Sequence, residues 1–445
     1  MQKTFPANSL YWLLVVVCVF VFSLSRFWDK KPVIDWDMTL YYSYLPALFI
    51  YDDLKFEQPT EEWGKRHFYM NSDANGNRYV KMTGGLAIMY SPFFALGHAY
   101  ASLSNSYATD GFSEPYRLAL LASSLFFALW GLFILRKVLE RFFPPWVANL
   151  SVVLLYIGSN MPHYSFVEPM SHVYSFFLIS AILYLSLKFC NRPSFKLAIP
   201  IGALAGLMIL IRPTNILILL FPIIYLLSSG SLKSGAEWIK YGLTAAFFAL
   251  LAISPQLFYW HYMTGNWIVY SYNDEHFFFL QPHFWDGLFS YRKGWFVYSP
   301  LLLFAALGFI ALFKMSKLLF SSSITVLFLG LWVNLSWWCW WYGGGFGARS
   351  LIDFLPFMAL GLAAFLQWLG RQKKLVKAPV ILALSFLSVW SIFMNKQYKS
   401  SIIHYDSMSK ELFWKQFFKD HFVKNYESYL EHPDYDAAKK GEEDY

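Results

Sequence analysis

Long apolar runs alternate with short polar joints along most of this chain, and the basic residues collect in every second joint. Measured against the roughly 20 residues that cross a bilayer, the runs predict eleven helices. They lie near 10–27, 115–136, 146–160, 171–188, 197–211, 214–229, 240–262, 296–313, 319–337, 351–369 and 378–394. A further run at 84–106 is apolar but carries Pro92 and His98. Counting it as a span would break the alternation of charge, so it reads as a re-entrant or interfacial helix inside a long loop.

That alternation sets an orientation. One set of joints holds Arg136, Lys137, Arg141, Lys188, Arg192, Lys196, Lys233, Lys240, Lys314, Lys317, Arg371, Lys373, Lys374 and Lys377. The short joints of the other set hold Arg212, Arg292, Lys293 and Arg349. Basic loops stay on the cytoplasmic side, which predicts an N-terminus inside and a C-terminus outside. Composition agrees: 57% hydrophobic and 14% charged residues, with a mean hydropathy of +0.39, lie outside the soluble range. The net charge of +8 follows from the basic joints and is not a nucleic-acid footprint. The first run, Leu10 to Phe22 after Lys3, lacks a small-residue cleavage site and reads as a retained span. Cys18, Cys190 and Cys339 have neither disulfide nor metal-ligand spacing, and no internal repeat favours an inverted-repeat transporter.

Two regions interrupt the pattern on the outer side. The first outer loop, 28–114, opens on Asp35-Trp36-Asp37, and a second long loop covers 263–295. Two carboxylates at the mouth of a membrane-embedded cavity suit proton abstraction or metal-assisted chemistry on a lipid-borne substrate. The plainer alternative pairs them with Arg26, Lys30 or Lys31. Past a transmembrane unit of 1–395, the charged tail 396–445 contains Phe413-Trp414 and Phe417-Phe418. It reads as an amphipathic helix near 407–432 on the outer surface, anchoring or docking an acceptor, followed by a disordered acidic end.

Several stretches on the outer side resemble one family. They are D-x-x-x-YY-x-YLPALF from Asp37, K-x-x-G-G-LA…SPFF…GH from Lys81, EPMSHVYSFF from Glu168, LIRPTN from Leu210, LFSYRKGWFVYSPLL from Leu288 and WWYGGGFGARSLIDFLP from Trp340. Together they resemble the bacterial GT-C glycosyltransferases of the protein mannosyltransferase and aminoarabinose transferase type. The resemblance covers about residues 10–370. It implies an all-α polytopic bundle and transfer of a sugar from a polyprenyl-phosphate carrier to a glycan, lipid or protein acceptor, with no essential cofactor. It also places Asp37, ahead of the Tyr41-Tyr42 pair, at the family's catalytic acid position, with Asp35 supporting it.

Under that reading the remaining candidates fall into roles. A leaving phosphate calls for cations, arginine above all, and Arg212, Arg349, Lys81 and Arg292 qualify. Competing readings pair Arg212 with Glu168 and Arg349 with Asp353 one helical turn on. Glu168 and His172, four apart, would share a helix face toward substrate. With Asp35 and Asp37 they make a divalent metal conceivable, although the resemblance disfavours one. Trp341 and Tyr342 stand in an aromatic cluster that could stack on sugar or isoprenoid, with belt anchoring as the alternative. The glycines that follow, Gly343 to Gly345, lack the ending of a phosphate-binding P-loop. A flippase for a lipid-linked glycan, an O-antigen ligase or polymerase, and a non-catalytic subunit are the competing functions; the acid pair favours sugar transfer.

Overall fold

A computed structural model describes residues 9–30, 33–57 and 61–442; Lys3 and Lys31 lie outside these. The chain is an all-helical polytopic membrane protein, and each of the eleven predicted runs lies on helix. They are α1 (Ser9–Ser25), α4 (Glu114–Leu139), α5 (Pro145–Ile157), α6 (Ser171–Asn191), α7 (Phe195–Ile211), α8 (Leu220–Ser229), α9 (Gly235–Thr264), α10 (Leu302–Met315), α11 (Lys317–Leu335), α12 (Leu355–Gly370) and α13 (Lys374–Lys399). The first outer loop contributes α2 (Asp37–Tyr42) and α3 (Gly85–Leu103). Seven segments among the described residues are long and apolar enough to cross a membrane, and four apolar helices are shorter. Helix is the form such runs must take in lipid, because it satisfies every backbone polar group within the segment.

The core is organised around α12, which is buried almost throughout and packs against α10 and α5. On the other side α6 packs between α4 and α7. Close approach of backbones depends on small residues. A Cβ on Gly202 or Gly206 of α7 would come within 2.2 or 2.3 Å of the Ala245 or Ala249 carbonyl of α9. One on Gly308 of α10 would lie 1.9 Å from the Gly361 carbonyl of α12. In contrast α1, α9 and α13 leave most of their apolar side chains exposed, as lipid-facing helices do.

The first outer loop is a folded lid-like layer. A two-strand hairpin pairs Asn71–Ser72 with Arg78–Tyr79 around a turn in which Asp73 accepts from the Asn75 and Asn77 amides. Its return is pinned over the ends of α7 and α9: Thr83 donates to the Leu210 carbonyl, and the Gly84 amide donates to Gln256 at 2.8 Å. The run at 84–106, expected as a re-entrant or interfacial helix, forms the single 19-residue α3 with Pro92 inside it, and it packs along α4.

The tail departs from expectation. No long amphipathic helix runs over 407–432; short helices at Lys410–Lys415, Tyr426–Tyr429 and Tyr435–Lys439 fold back onto the bundle. Ile402, Ile403, Met408, Leu412 and Phe413 are buried, and Gln397 at the end of α13 donates to the Gln416 and Lys419 carbonyls. The acidic end is likewise structured to Glu442, with Tyr435 packed on Trp338 and Trp341; residues 443–445 lie outside the described residues. Phe413, Phe417 and Phe418 pack against Trp390 of α13, which ties this part of the tail to the bundle.

Candidate active site

Two ion pairs define the site. Asp37, the first residue of α2, accepts from Arg349 at 3.0 Å and keeps about a third of its side chain exposed. Arg349 also donates to the Tyr342 carbonyl at 2.8 Å. The second pair joins Arg212 to Asp353 at 3.4 Å, with Asp353 almost fully buried. Around it, Arg212 is 2.6 Å from His172 Nδ1 and donates to Asn334 at 3.1 Å, while Asn215 donates to the same Asp353 oxygen, Oδ2, at 2.9 Å.

Local backbone explains which residue meets which. Arg349–Phe354 is a 3₁₀-helix, with about three residues per turn. Positions four apart therefore differ by about 120° instead of the roughly 40° of an α-helix. Arg349 and Asp353 consequently point to different partners, and the expected pair between them is absent among the described residues. The strand-like turn before it needs its glycines: Gly343 and Gly347 have φ of +62° and +59°. A Cβ on Gly345 would meet Arg349 and the Tyr164 hydroxyl at 3.0 Å. The Tyr164 hydroxyl in turn takes the Phe346 amide at 2.6 Å.

Tyr41 lies in the electrostatic field of Asp37, Arg212 and Arg349. Burial raises its phenol above the ordinary range, and the Asp37 charge adds to the rise, which keeps it a neutral donor. Tyr342 stands against the second pair: its hydroxyl donates to Asn334 at 3.1 Å, and the Arg212 guanidinium sits 5.7 Å from its ring. Burial lifts this phenol to about 12. Lys81 reaches the same region, ion-paired with Glu275 and 5.1 Å from the Tyr272 ring. Burial, Tyr41 and Asp37 raise Tyr272, with Arg212 opposing.

Glu168 and His172 are both near, but not as one helical face. Pro169 disfavours helix at the residue before it, and α6 starts only at Ser171. Glu168 therefore stays in the connection and pairs with His163 at 3.1 Å, not with Arg212, while His172 faces Asp353 at 3.3 Å. Burial alone would raise the Glu168 carboxyl. His163, Arg349 and Lys293 outweigh it and hold the group below its usual range.

Four expected site residues are placed elsewhere. Asp35 does not support Asp37: its carboxylate accepts from the Trp36 amide at 2.9 Å and bonds His67 at 2.7 Å. Tyr42, about 100° round the helix from Tyr41, is buried and donates to the Gly111 carbonyl at 2.6 Å. Arg292 lies against the tail, its guanidinium 5.3 Å from the Trp341 ring and donating to the Glu431 carbonyl. Trp341 packs on Tyr435 rather than lining the site. Arg26 pairs with Asp29 and Glu114, not with the acids. With Asp35, Asp37, Glu168 and His172 each turned to a different partner, no cluster of three or more metal-ligating side chains forms among the described residues.

Sequence reasoning missed Asn215, Asn334, Glu275 and Lys293, and weighed Asp353 only as a partner for Arg349. Lys293 was visible only as the neighbour of Arg292, yet it is the one turned inward. It is buried and donates to the Gly345 and Tyr405 carbonyls. Burial pushes its amine down to about 7, Arg349 acting in the same sense and Asp406 and Glu168 against it.

No family model matches this chain, and no curated protein does. Among solved structures the chain is similar to "ArnT from Cupriavidus metallidurans in the apo state", at 14% identity and a TM-score of 0.49. The match covers 87% of this chain and 64% of that one, so this chain spans somewhat under two thirds of that protein.

Proposed function

We propose that the protein is an inverting glycosyltransferase of a bacterial inner membrane. It moves a sugar from a polyprenyl-phosphate carrier to an acceptor hydroxyl on the periplasmic face. The observation that carries this reading is the partly exposed Asp37 carboxylate, bonded to Arg349 and close enough to Tyr41 to raise its phenol. A carboxylate held by one guanidinium, with the Lys81 amine in the same region, matches a reaction that needs one base and one anion clamp. The quoted outer-side motifs point the same way.

In the proposed step the acceptor oxygen forms its bond to the anomeric carbon as the bond to the phosphate oxygen breaks. The phosphate leaves with that electron pair, and Asp37 takes the acceptor proton. A phosphate is already a good leaving group, so alignment of the attacking hydroxyl does most of the work. One displacement inverts the anomeric centre, unlike the two-step route through a covalent intermediate.

Arg349 plays two parts: it orients Asp37 before substrate enters, and its guanidinium pairs with the phosphate afterwards. Lys81 is the second cation. Arg212, bonded by Asp353, His172 and Asn334, fixes the wall behind Tyr342 rather than closing on a ligand. The scheme assigns no resident metal, because these cations meet the phosphate charge.

The test is sugar release and transfer by the purified protein in nanodiscs, using radiolabelled undecaprenyl-phosphate sugars. Wild type should turn over at least one donor, and Asp37→Asn, with an unchanged melting profile, should lose at least a hundredfold. Full activity in the variant would remove Asp37 as the base. Tight binding without turnover by wild type would favour the flippase reading.

A further inference from the structure

Trp36 holds a backbone conformation that its side chain opposes. Its φ of +48° and ψ of −130° lie where glycine is at ease and a residue bearing a Cβ is strained. His67 is also left-handed, at φ +51°. These two strained residues meet: the indole and imidazole rings stack 3.9 Å apart, with 9° between their planes. Asp35 locks the stack by bonding His67 and accepting from the Trp36 amide. Thr39 of α2 ties the same segment down through the Arg66 carbonyl at 2.9 Å.

The consequence is an aromatic face held in one orientation and left open. Trp36 remains 62% exposed, although one side of its ring is covered by His67. Strain of this kind persists where the surrounding structure enforces it, and it gathers at sites of function. The next residue is Asp37, and Tyr69, two residues beyond His67, lies in the Asp37 field.

Resting on the glycosyltransfer reading, we propose that the open face of Trp36 is a platform for a carbohydrate ring of the acceptor. A sugar lays an apolar C–H face on the indole and turns hydroxyls outward, where the Asp35–His67 edge can bond them. An amphipathic ring with a polar rim suits such a ligand. A lipid-dipping tryptophan needs neither a locked rotamer nor an ionisable pair beneath it, and that pair would be costly against hydrocarbon.

The experiment uses the full-length protein in nanodiscs, without donor, on an array of bacterial surface oligosaccharides. Wild type should bind at least one glycan, and Trp36→Ala should weaken that binding tenfold or more. Trp36→Phe should recover most of it, and Trp36→Leu should not. Trp36→Gly should melt higher than wild type, its strain relieved, and yet fail to bind, an outcome a merely structural tryptophan cannot produce. Equal binding by Trp36→Ala, equal rescue by leucine, or no glycan bound by wild type would each overturn the platform. Donor turnover separates the two readings. Hydrolysis of undecaprenyl-phosphate sugar by wild type in the absence of glycan reads the proposed function without the platform. Loss of all turnover in wild type would sink the proposed function and leave the glycan result standing.

Discussion

Removing Asp353 should unbalance the centre of the protein. Its carboxylate is nearly without solvent and holds Arg212 at 3.4 Å, Asn215 at 2.9 Å and His172 at 3.3 Å. At an effective dielectric of about 20, a pair at this separation attracts by about 5 kcal/mol, against which stands the cost of desolvating both ions. Asp353→Ala leaves the Arg212 charge, only 12% exposed, with neutral partners. Breaking a buried pair in this way costs about 3–5 kcal/mol. Replacing both members by apolar groups of similar volume is often near neutral, so Arg212→Met with Asp353→Leu should lose no more than about 1–2 kcal/mol. Unfolding of wild type, Asp353→Leu, Arg212→Met and the double variant by denaturant titration in detergent closes the cycle. With each single variant costing about 3–5 kcal/mol and the double about 1–2, the expected coupling between the two sites is at least about 4 kcal/mol. A single variant within about 1 kcal/mol of wild type, or a double variant as weak as the singles summed, would refute the reasoning.

Three other outcomes are expected. Arg349→Gln should cut sugar transfer by about a hundredfold or more, on the scale of losing one preorganised donor, and raise the donor KM; unchanged donor saturation would remove Arg349 from the phosphate site. For Lys293, the folded amine titrates near 7 against 10.5 ordinarily, so between those values the unfolded chain binds more protons. Stability should therefore rise with pH from about 7 to 10.5, by up to about 1.4 kcal/mol per unit, and Lys293→Met should flatten that slope in melts followed against pH. Gly361→Val drives a side chain into the Ala305 carbonyl, 2.3 Å from where its Cβ would stand. It should abolish monodisperse protein on size exclusion, whereas Gly242→Ala, with open space around it, should gain about 0.5–1 kcal/mol.

How far the sequence carried the structure depends on the kind of question. Helix positions were legible, because an apolar run near lipid has only one local solution and its length is read directly. The tail was not: Phe413, Phe417 and Phe418 look like a membrane-facing stripe until Trp390 is known to stand opposite them. Within the site, residue types were legible and partners were not. Arg349, Asp353, Arg212 and Asp37 all stood out as charges on an apolar outer face. The pairing that seemed closest, Arg349 with Asp353, assumed an α-helical turn at Arg349–Phe354.

The geometry of that turn decides the pairing. On an α-helix Arg349 and Asp353 would neutralise each other, leaving Arg212 to seek Glu168 and Asp37 to seek a lysine in its own loop. The 3₁₀ turn rotates them apart, so each takes a partner far along the chain: Asp37 is 312 positions from Arg349. The turn itself follows from what precedes it. The backbone enters through left-handed Tyr342, Gly343 and Gly347, and the Gly345–Phe346 segment is clamped by Tyr164, Lys293 and Asn160. The glycine-rich segment thus sets which residues pair. It turns the chain so that one arginine faces the first outer loop and the aspartate four residues later faces the bundle.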